Sequence, residues 1–432
     1  MIQIYRFSFL VFIVLLINSG ALWASETVEL VYSGNLDGEL EPCGCSEEGN
    51  LGGLKRRMTV LSELRKENPE LVVISAGGLL SSEGPGDRLK SEYILKGFAR
   101  LKYDAIGVQW RDLVYGSEFA LSTPLPWVIS NWKNQSVPAR NEIKRKGYKL
   151  TFFSWLNPEE SPLRQMQGQH AMADDSSKPL RIALEQAKQN GQLTILATTM
   201  TPDKVEKLVD LDNVDILIEK AAYEVYGQPR KLGNTLIVQP GSRGMRLGRL
   251  DLVIENGRIK NWKHSVIPMP DKIKDAPELA EWYAEYNARV KADYLKRVEL
   301  KKSQKAGKSP YVGEEVCGTC HVAQHEIWSE TQHATAFEKL EEVNKSFDPD
   351  CIKCHTVGFD KPGGFIDFTT TDNLMGVQCE SCHGAGRLHV ESGGSQPVPN
   401  AKWPREKICG QCHVQKHSPG FDMDSYWSKI TH

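Results

Sequence analysis

Four segments of this sequence repeat one spacing of sulfur and imidazole: Cys317-Gly-Thr-Cys320-His321, Cys351-Ile-Lys-Cys354-His355, Cys379-Glu-Ser-Cys382-His383 and Cys409-Gly-Gln-Cys412-His413. Two sulfurs about one helical turn apart can bond both vinyl groups of one haem, while the next residue swings its imidazole under the iron. Each C-x-x-C-H is therefore read as a site for covalent haem c. The eight cysteines are the thioether anchors, and His321, His355, His383 and His413 are the proximal iron ligands. Zinc ribbons also use paired cysteines but do not require a histidine after every second one. A disulfide framework is the other use of such pairs. The fourfold histidine favours four haems. The segment from Cys317 to His432 is too short to build four separate apolar pockets, so the haems themselves must be its core.

The sixth ligand of each iron decides between carrying electrons and binding small molecules, because an iron held by two histidines is closed. His325, His333, His389, His417 and His432 lie outside the motifs in this segment. His325 and His417 each follow a proximal histidine by four residues, so on a helix they share its face and could serve only a neighbouring haem. His333 and His389 are the better distal candidates. His432, as the last residue, is expected to fray. Met375 and Met423 are weaker donors and are read as packing.

This segment resembles the tetrahaem cytochrome c-554 family, the electron acceptors of hydroxylamine oxidoreductase. The resemblance is carried by Tyr311-Val-Gly313, the first motif, Trp328 with His333-Ala334, Cys354-His355-Thr-Val-Gly358-Phe359, and Gly376-Val377 ahead of Cys379-Glu-Ser-Cys382-His383-Gly384-Ala-Gly386 with His389. It implies stacked haem pairs, mostly bis-histidine, with His333 and His389 as distal ligands. Some members have one iron without a protein sixth ligand. His325 stands where the family pattern has tyrosine.

Composition narrows what surrounds these sites. The chain has 432 residues, 40% hydrophobic and 25% charged, with 53 basic against 55 acidic side chains and a net charge of -2. Disorder, collagen and coiled coil are excluded, and a dedicated nucleic-acid binder is not indicated. Of ten cysteines, only Cys43 and Cys45 lie outside the four motifs. Residues 1–24 read as a signal peptide, with Arg6, an apolar run from Phe7 to Ile17, and small residues leading to Ala21 and Ala24. The product is therefore expected to be exported, periplasmic or otherwise extracytoplasmic, with no membrane span after cleavage. Two propionates on each haem would make the loaded protein more negative than the polypeptide.

Between Glu26 and Pro268, β-rich runs alternate with helical stretches. The strand candidates are Val28–Tyr32, Leu71–Ser75, Ala105–Val108, Trp127–Ile129, Leu193–Ala197, Asp215–Ile218, Thr235–Val238 and Leu250–Ile254; the helix candidates are Leu54–Lys66, Leu89–Leu101, Leu180–Asn190 and Pro202–Val209. Gly241, Gly244 and Gly248 lack the spacing of a dinucleotide turn. The pattern is an α/β domain.

This part resembles the calcineurin-like metallophosphoesterases of the 5′-nucleotidase type, through Tyr32-Ser-Gly-Asn-Leu-Asp-Gly38, Gly52-Gly53-Leu54, Val73-Ile-Ser-Ala-Gly77, Pro126-Trp-Val-Ile-Ser-Asn131 and Gly248-Arg-Leu-Asp-Leu252. The resemblance implies a layered sandwich with two metals at the strand ends. The ligand positions here hold Asn35-Leu36-Asp37, Gly77-Gly78, Gln109-Trp110-Arg111-Asp112, Thr198 or Thr199, and Glu219 to Tyr223. The histidine donors are gone, since only His170 and His264 remain in this part. A pseudoenzyme scaffold is expected, without phosphoesterase activity. Cys43-Gly-Cys45, on the loop after the first strand, is a local disulfide or structural pair, or a redox or soft-metal site.

From Asp275 to Lys302, Leu279, Trp282, Tyr283, Tyr286, Val290, Tyr294 and Val298 recur at helical spacing, predicting an aromatic-rich amphipathic helix packed on one domain. Lys301 to Lys308 reads as a flexible basic linker. The expected organisation is residues 1–24 as signal, 26–270 as the phosphoesterase-like domain, 271–309 as helix and linker, and 310–432 as a small, mainly α, multihaem cytochrome c domain. The expected function is relay of electrons between periplasmic redox proteins after loading by the haem-attachment machinery. The alternative is an oxidoreductase of hydroxylamine, nitrite or nitric oxide at an open haem.

Overall fold

The structure is a computed structural model, which describes residues 26–42, 50–84, 86–133, 136–162, 173–255, 257–304 and 307–432. The signal peptide, Cys43, Cys45 and His170 lie outside the described residues.

The N-terminal part is built on two six-stranded sheets. The first has the order β12-β11-β1-β2-β3-β4, from Arg258–Pro268, Arg246–Glu255, Glu26–Ser33, Val72–Ser75, Ala105–Gly107 and Trp127–Val128. The second has the order β5-β6-β7-β8-β10-β9, from Asn141–Arg145, Tyr148–Trp155, Leu193–Thr198, Ile216–Ile218, Thr235–Val238 and Arg230–Leu232. Strands β1 to β4 run parallel, as do β6, β7, β8 and β10. Their largely buried, mostly apolar sequences follow from being covered on both faces.

One face of each sheet meets the other through Leu30, Tyr32, Ile74, Phe152, Ile195 and Leu236. The outer face of the first sheet is covered by α1 (Leu54–Glu67) and α2 (Asp87–Leu101), with α3 (Ser117–Leu121) at its margin. The outer face of the second is covered by α4 (Lys178–Gln189) and α5 (Pro202–Leu208). The result is an α/β domain, as the strand and helix pattern predicts, in the layered sandwich form that the resemblance implies.

Helix α6 (Ala280–Gln304) starts later than the pattern from Asp275 suggests and runs two residues past Lys302. Trp282 and Tyr286 enter the core beneath the first sheet, where the Trp282 indole donates to the Tyr93 carbonyl at 3.0 Å. Two to three turns later Tyr294 and Val298 enter the core of the C-terminal part, where the Tyr294 hydroxyl donates to the Ile366 carbonyl at 3.0 Å. The helix therefore packs on both parts rather than one. The basic run starts inside it: Lys301 pairs with Asp360 at 2.6 Å and Lys302 with Asp367 at 2.7 Å. These two lysines are anchored, which corrects the reading of Lys301 onward as free linker.

The C-terminal part is short helices joined by turns: α7 (Glu314–Gly318), α8 (Val322–Ser329), α9 (Ala336–Glu342), α10 (Pro349–His355), α11 (Cys379–His383), α12 (Arg387–Glu391), α13 (Arg405–Cys409) and α14 (Met423–Trp427). Its own apolar core, around Phe337, Ile352, Val357, Phe365 and Leu374, sits beside α6 and the second motif.

Candidate multihaem site and the strand-end cleft

Each C-x-x-C-H motif begins within a helical turn, which fixes the sulfur spacing. In the first and fourth motifs the histidine N–H closes on the carbonyl of the first cysteine, at 2.9 Å for His321 and 2.8 Å for His413. Three motif histidines face a second imidazole. His321 faces His389 with ring centres 6.1 Å apart, His413 faces His333 at 6.1 Å, and His383 faces His432 at 6.0 Å. Two imidazoles bound to one metal from opposite sides, with bonds of about 2 Å, have ring centres about 6 Å apart. The three pairs leave room for one iron each.

The ring nitrogens are held in the tautomer that iron needs. Backbone carbonyls accept from Nδ1 of His355 (Ala336, 2.6 Å), His389 (Gln396, 2.7 Å) and His432 (Ile430, 2.8 Å), which leaves Nε2 as the donor. Burial lowers the pKa of His333 and of His413, with a further push from His355 on the first and from His333 on the second, so both favour the neutral imidazole. Apolar side chains complete the fit. Val316, Val322, Leu388, Val390 and Val414 are exposed, and each is adjacent in sequence to a motif or to His389. A porphyrin seated on these motifs covers such side chains, so the residues present fit haem c.

The motifs are neighbours in a definite order. Electrostatic coupling links the thiol of Cys317 with that of Cys379, Cys382 with Cys409, and Cys412 with Cys354. The series runs first to third to fourth to second motif. Among the described residues no disulfide joins these cysteines, and no three His, Cys, Asp or Glu side chains converge as a zinc ribbon needs.

The structure brings His333 and His389 opposite motif histidines. His325 has another partner: its Nε2 meets the Glu314 carboxylate and its ring packs on Trp328. His417 sits half-buried in the turn after the fourth motif, its N–H on the Val414 carbonyl at 2.9 Å. His432 is the ring that sequence reasoning missed, set aside for its terminal place, and no local pattern marks it. His355 is the motif histidine outside these three pairs, with its Nδ1 on the Ala336 carbonyl.

At the C-terminal ends of β1, β2 and β3 lies the second cleft. Asn35 donates to Asp37 at 3.2 Å, Gln109 donates to Asn35 at 2.7 Å, and the Arg111 guanidinium pairs with Asp37. Asp112 is fully buried and accepts the backbone N–H groups of Gly78, Leu79, Leu80 and Gln109 at 2.6–3.3 Å. Burial raises its pKa against the pull of those four donors. Gly78 has φ +75°, and a Cβ there would stand 2.5 Å from the Asn35 amide oxygen, so no side chain fits that position. Thr199 donates to Glu160 at 2.6 Å, Glu219 is held by Arg230 at 2.8 and 2.9 Å, and His264 lies away on β12 against the Tyr32 hydroxyl at 3.0 Å. Among the described residues no metal-binding group of three or more donors gathers here.

The two parts meet at this cleft. Lys416 pairs with Glu39 at 2.9 Å, and Arg243 donates to the Lys416 carbonyl at 2.7 Å. Lys90 pairs with Asp350, beside Cys351, at 2.5 Å, and Lys345 pairs with Glu41 at 2.5 Å.

Residues 316–384 match the family described as cytochrome c554 and c-prime. The C-terminal part carries a cytochrome c554 domain. Cytochrome c-554 of Nitrosomonas europaea is 34% identical over 140 residues, which cover 25% of this chain and 60% of that protein. Dissimilatory sulfite reductase MccA of Wolinella succinogenes is 26% identical over 235 residues, covering 52% of this chain and 26% of that one. For the sandwich, a 5′-nucleotidase precursor from Thermus thermophilus superposes with TM-score 0.53 at 15% identity, over 62% of this chain and 59% of that one. The sulfate thiohydrolase SoxB of Thermus thermophilus gives 0.50 at 13% identity, over 66% and 63%. The chain spans less than two thirds of the length of each of these proteins. The sandwich thus has the 5′-nucleotidase and phosphoesterase fold. A cytochrome c554 domain implies covalent haem c and an extracytoplasmic location, and suggests electron transfer. Among the described residues no helix is long and apolar enough to cross a membrane.

Proposed function

We propose that this protein is a periplasmic tetrahaem cytochrome that relays electrons between redox proteins, with its phosphoesterase-like part as a catalytically degenerate scaffold. The observation that carries the reading is the set of three facing histidine pairs at 6.0–6.1 Å, one for each of three motifs. Haem c, when bound, supplies the one-electron chemistry. Cys317, Cys320, Cys351, Cys354, Cys379, Cys382, Cys409 and Cys412 anchor it, and His321, His355, His383 and His413 hold the proximal side. His389, His333 and His432 close the distal sides at the first, fourth and third motifs. The order of the motifs in this series puts the first and second at the two ends. Cys320 and His321 are exposed at one end, while Asp350 and Lys345 tie the other to the scaffold. A soluble partner meets the first motif's end.

A second reading rests on His355, the motif histidine outside the three facing pairs at 6.0–6.1 Å. An iron held there on one side only would bind hydroxylamine, nitrite or nitric oxide. Spectroscopy of the purified holoprotein separates the readings: four haems, three low-spin and one high-spin, with no turnover of nitrogen compounds, support relay. Rapid turnover of such a compound supports the enzyme. Fewer than four haems, or histidine pairs that leave several irons high-spin, overturn the assignment.

A further inference from the structure

The positions between the cysteines of a C-x-x-C-H motif are not dictated by thioether chemistry, yet the third motif buries a carboxylate there. Glu380 is 4% exposed. Its two oxygens accept the N–H of Val312 at 3.0 and 3.1 Å, of Gly313 at 2.9 Å, and of Gly386 at 2.6 Å. Three backbone donors on one carboxylate are charge-assisted bonds, the strong class, and they satisfy a group that is costly to bury.

What those donors belong to gives the residue its meaning. Val312 and Gly313 lead directly into α7, which carries Cys317 and ends in the turn of Cys320 and His321. Gly313 has φ +90°, and a Cβ there would stand 2.8 Å from the Asn373 carbonyl, so the entry to α7 is a fixed shape and not a loose loop. Gly386 leads into α12, which carries His389. The same two segments are tied again from the other side by Arg387, whose backbone N–H donates to the Pro310 carbonyl at 3.0 Å and whose guanidinium donates to the carbonyls of Ser309 and Tyr311. The two histidines of the first pair come from segments far apart in sequence, and the carboxylate of a different motif clamps the entries of both.

We propose that Glu380 is a positioning residue for the first motif's axial pair, setting the separation of His321 and His389 through the backbone of Val312, Gly313 and Gly386. The inference rests on the reading of His321 and His389 as ligands of one iron. A carboxylate is required because it presents two acceptor oxygens; an amide of the same shape keeps one and turns an NH2 toward the donors on the other side.

The test uses the full holoprotein with Glu380→Gln and, as reference, His389→Ala. E380Q is expected to keep four attached haems, to convert one of them from low-spin to high-spin in the ferric spectrum, and to take up one further equivalent of carbon monoxide when reduced. Deuterium exchange at the amides of Val312, Gly313 and Gly386 is expected to quicken about tenfold or more. H389A is expected to give the same spin conversion. If H389A converts one haem and E380Q converts none, the positioning role is overturned while the histidine pair stands. If H389A itself changes nothing, the pair is misassigned and the proposal falls with it. Should E380Q fail to accumulate, Glu380→Asp keeps the charge with a shorter reach and is expected to show partial conversion; an unaltered spectrum in E380D overturns the proposal equally.

Discussion

Replacing Lys345 with methionine tests whether the cytochrome domain is fastened to the sandwich by buried charge. The Lys345 side chain is 10% exposed, and its ammonium lies 2.5 Å from Glu41, 3.0 Å from the Asn287 amide oxygen and 3.6 Å from Asp348. Burial works against the charge, but Glu41 and Asp348 raise the lysine pKa well above its ordinary value. Methionine keeps most of the volume and removes the cation, leaving Asp348 at 10% exposure and Glu41 at 27% without their partner. Breaking a buried pair from one side costs about 3–5 kcal/mol. At about 1.4 kcal/mol per factor of ten, local opening should rise by about two to three and a half orders of magnitude. Hydrogen exchange reads this on both sides of the contact, at the amides of Lys345 and Asp348, bonded at 2.7 and 2.9 Å, and of Leu54, bonded to the Leu40 carbonyl at 3.0 Å. Glu41→Gln should cost less, because the lysine keeps Asp348. The double variant should be milder than the sum by about 2–3 kcal/mol. Exchange within threefold of the unmodified protein, or strict additivity, refutes the lock.

Asp112→Asn in the sandwich leaves two of the four backbone N–H groups facing an NH2 in either amide orientation, and should destabilise that part by about 3 kcal/mol in urea unfolding. His432→Ala should convert the third motif's haem to high-spin while the haem count stays unchanged, read in the same ferric spectrum. The Lys90–Asp350 pair should hold across about pH 6 to pH 9. Burial opposes both charges, yet each partner holds the other, with the Asp350 pKa below its ordinary 3.8 and the Lys90 pKa above its ordinary 10.5. The Asp350 contribution is therefore complete above 3.8 and lost only on acidification, and that of Lys90 is complete below 10.5 and lost only in strong base; loss of docking in scattering profiles between pH 6 and 9 contradicts this. Addition of manganese, zinc or calcium should leave the melting temperature of the sandwich unshifted and produce no phosphoester turnover.

Most of the parallel strands were legible because burial on both faces writes itself as unbroken apolar runs such as Val72–Ser75 and Leu193–Thr198; β6 was missed, because Thr151 and Ser154 interrupt its buried run. Edge strands carry no such signal. β12 runs Arg258, Lys260, Lys263 along an exposed margin and β9 is wholly exposed, so both were invisible to hydrophobic period. The four motifs could be read directly, since their chemistry is local. The distal side could not, because an imidazole opposite His383 comes from His432, and the pairing depends on how four loops fold back rather than on any spacing. Glu380 was hidden for the same reason: its partners are backbone N–H groups, which no side-chain pattern reveals.

The strand-end cleft shows how its own charges are now used. Asp37 is met by the Arg111 guanidinium and by the backbone N–H of Arg243 at 3.1 Å. Glu224 is met by the Arg243 guanidinium at 2.5 Å, and Glu39 by Lys416 of the cytochrome domain at 2.9 Å. A guanidinium tethered to the chain neutralises a carboxylate but offers no open coordination position for a substrate oxygen or an activated water. Arg243 is 6% exposed and donates its remaining fork to the Lys416 carbonyl, so the cation that balances the cleft also grips the haem-bearing part. Arg243 and Glu39 are thereby engaged in holding the C-terminal part. That is a physical reason for a phosphoesterase fold to stand beside four C-x-x-C-H motifs: the cleft grips the turn after the fourth motif, while Cys320 and His321 of the first remain exposed.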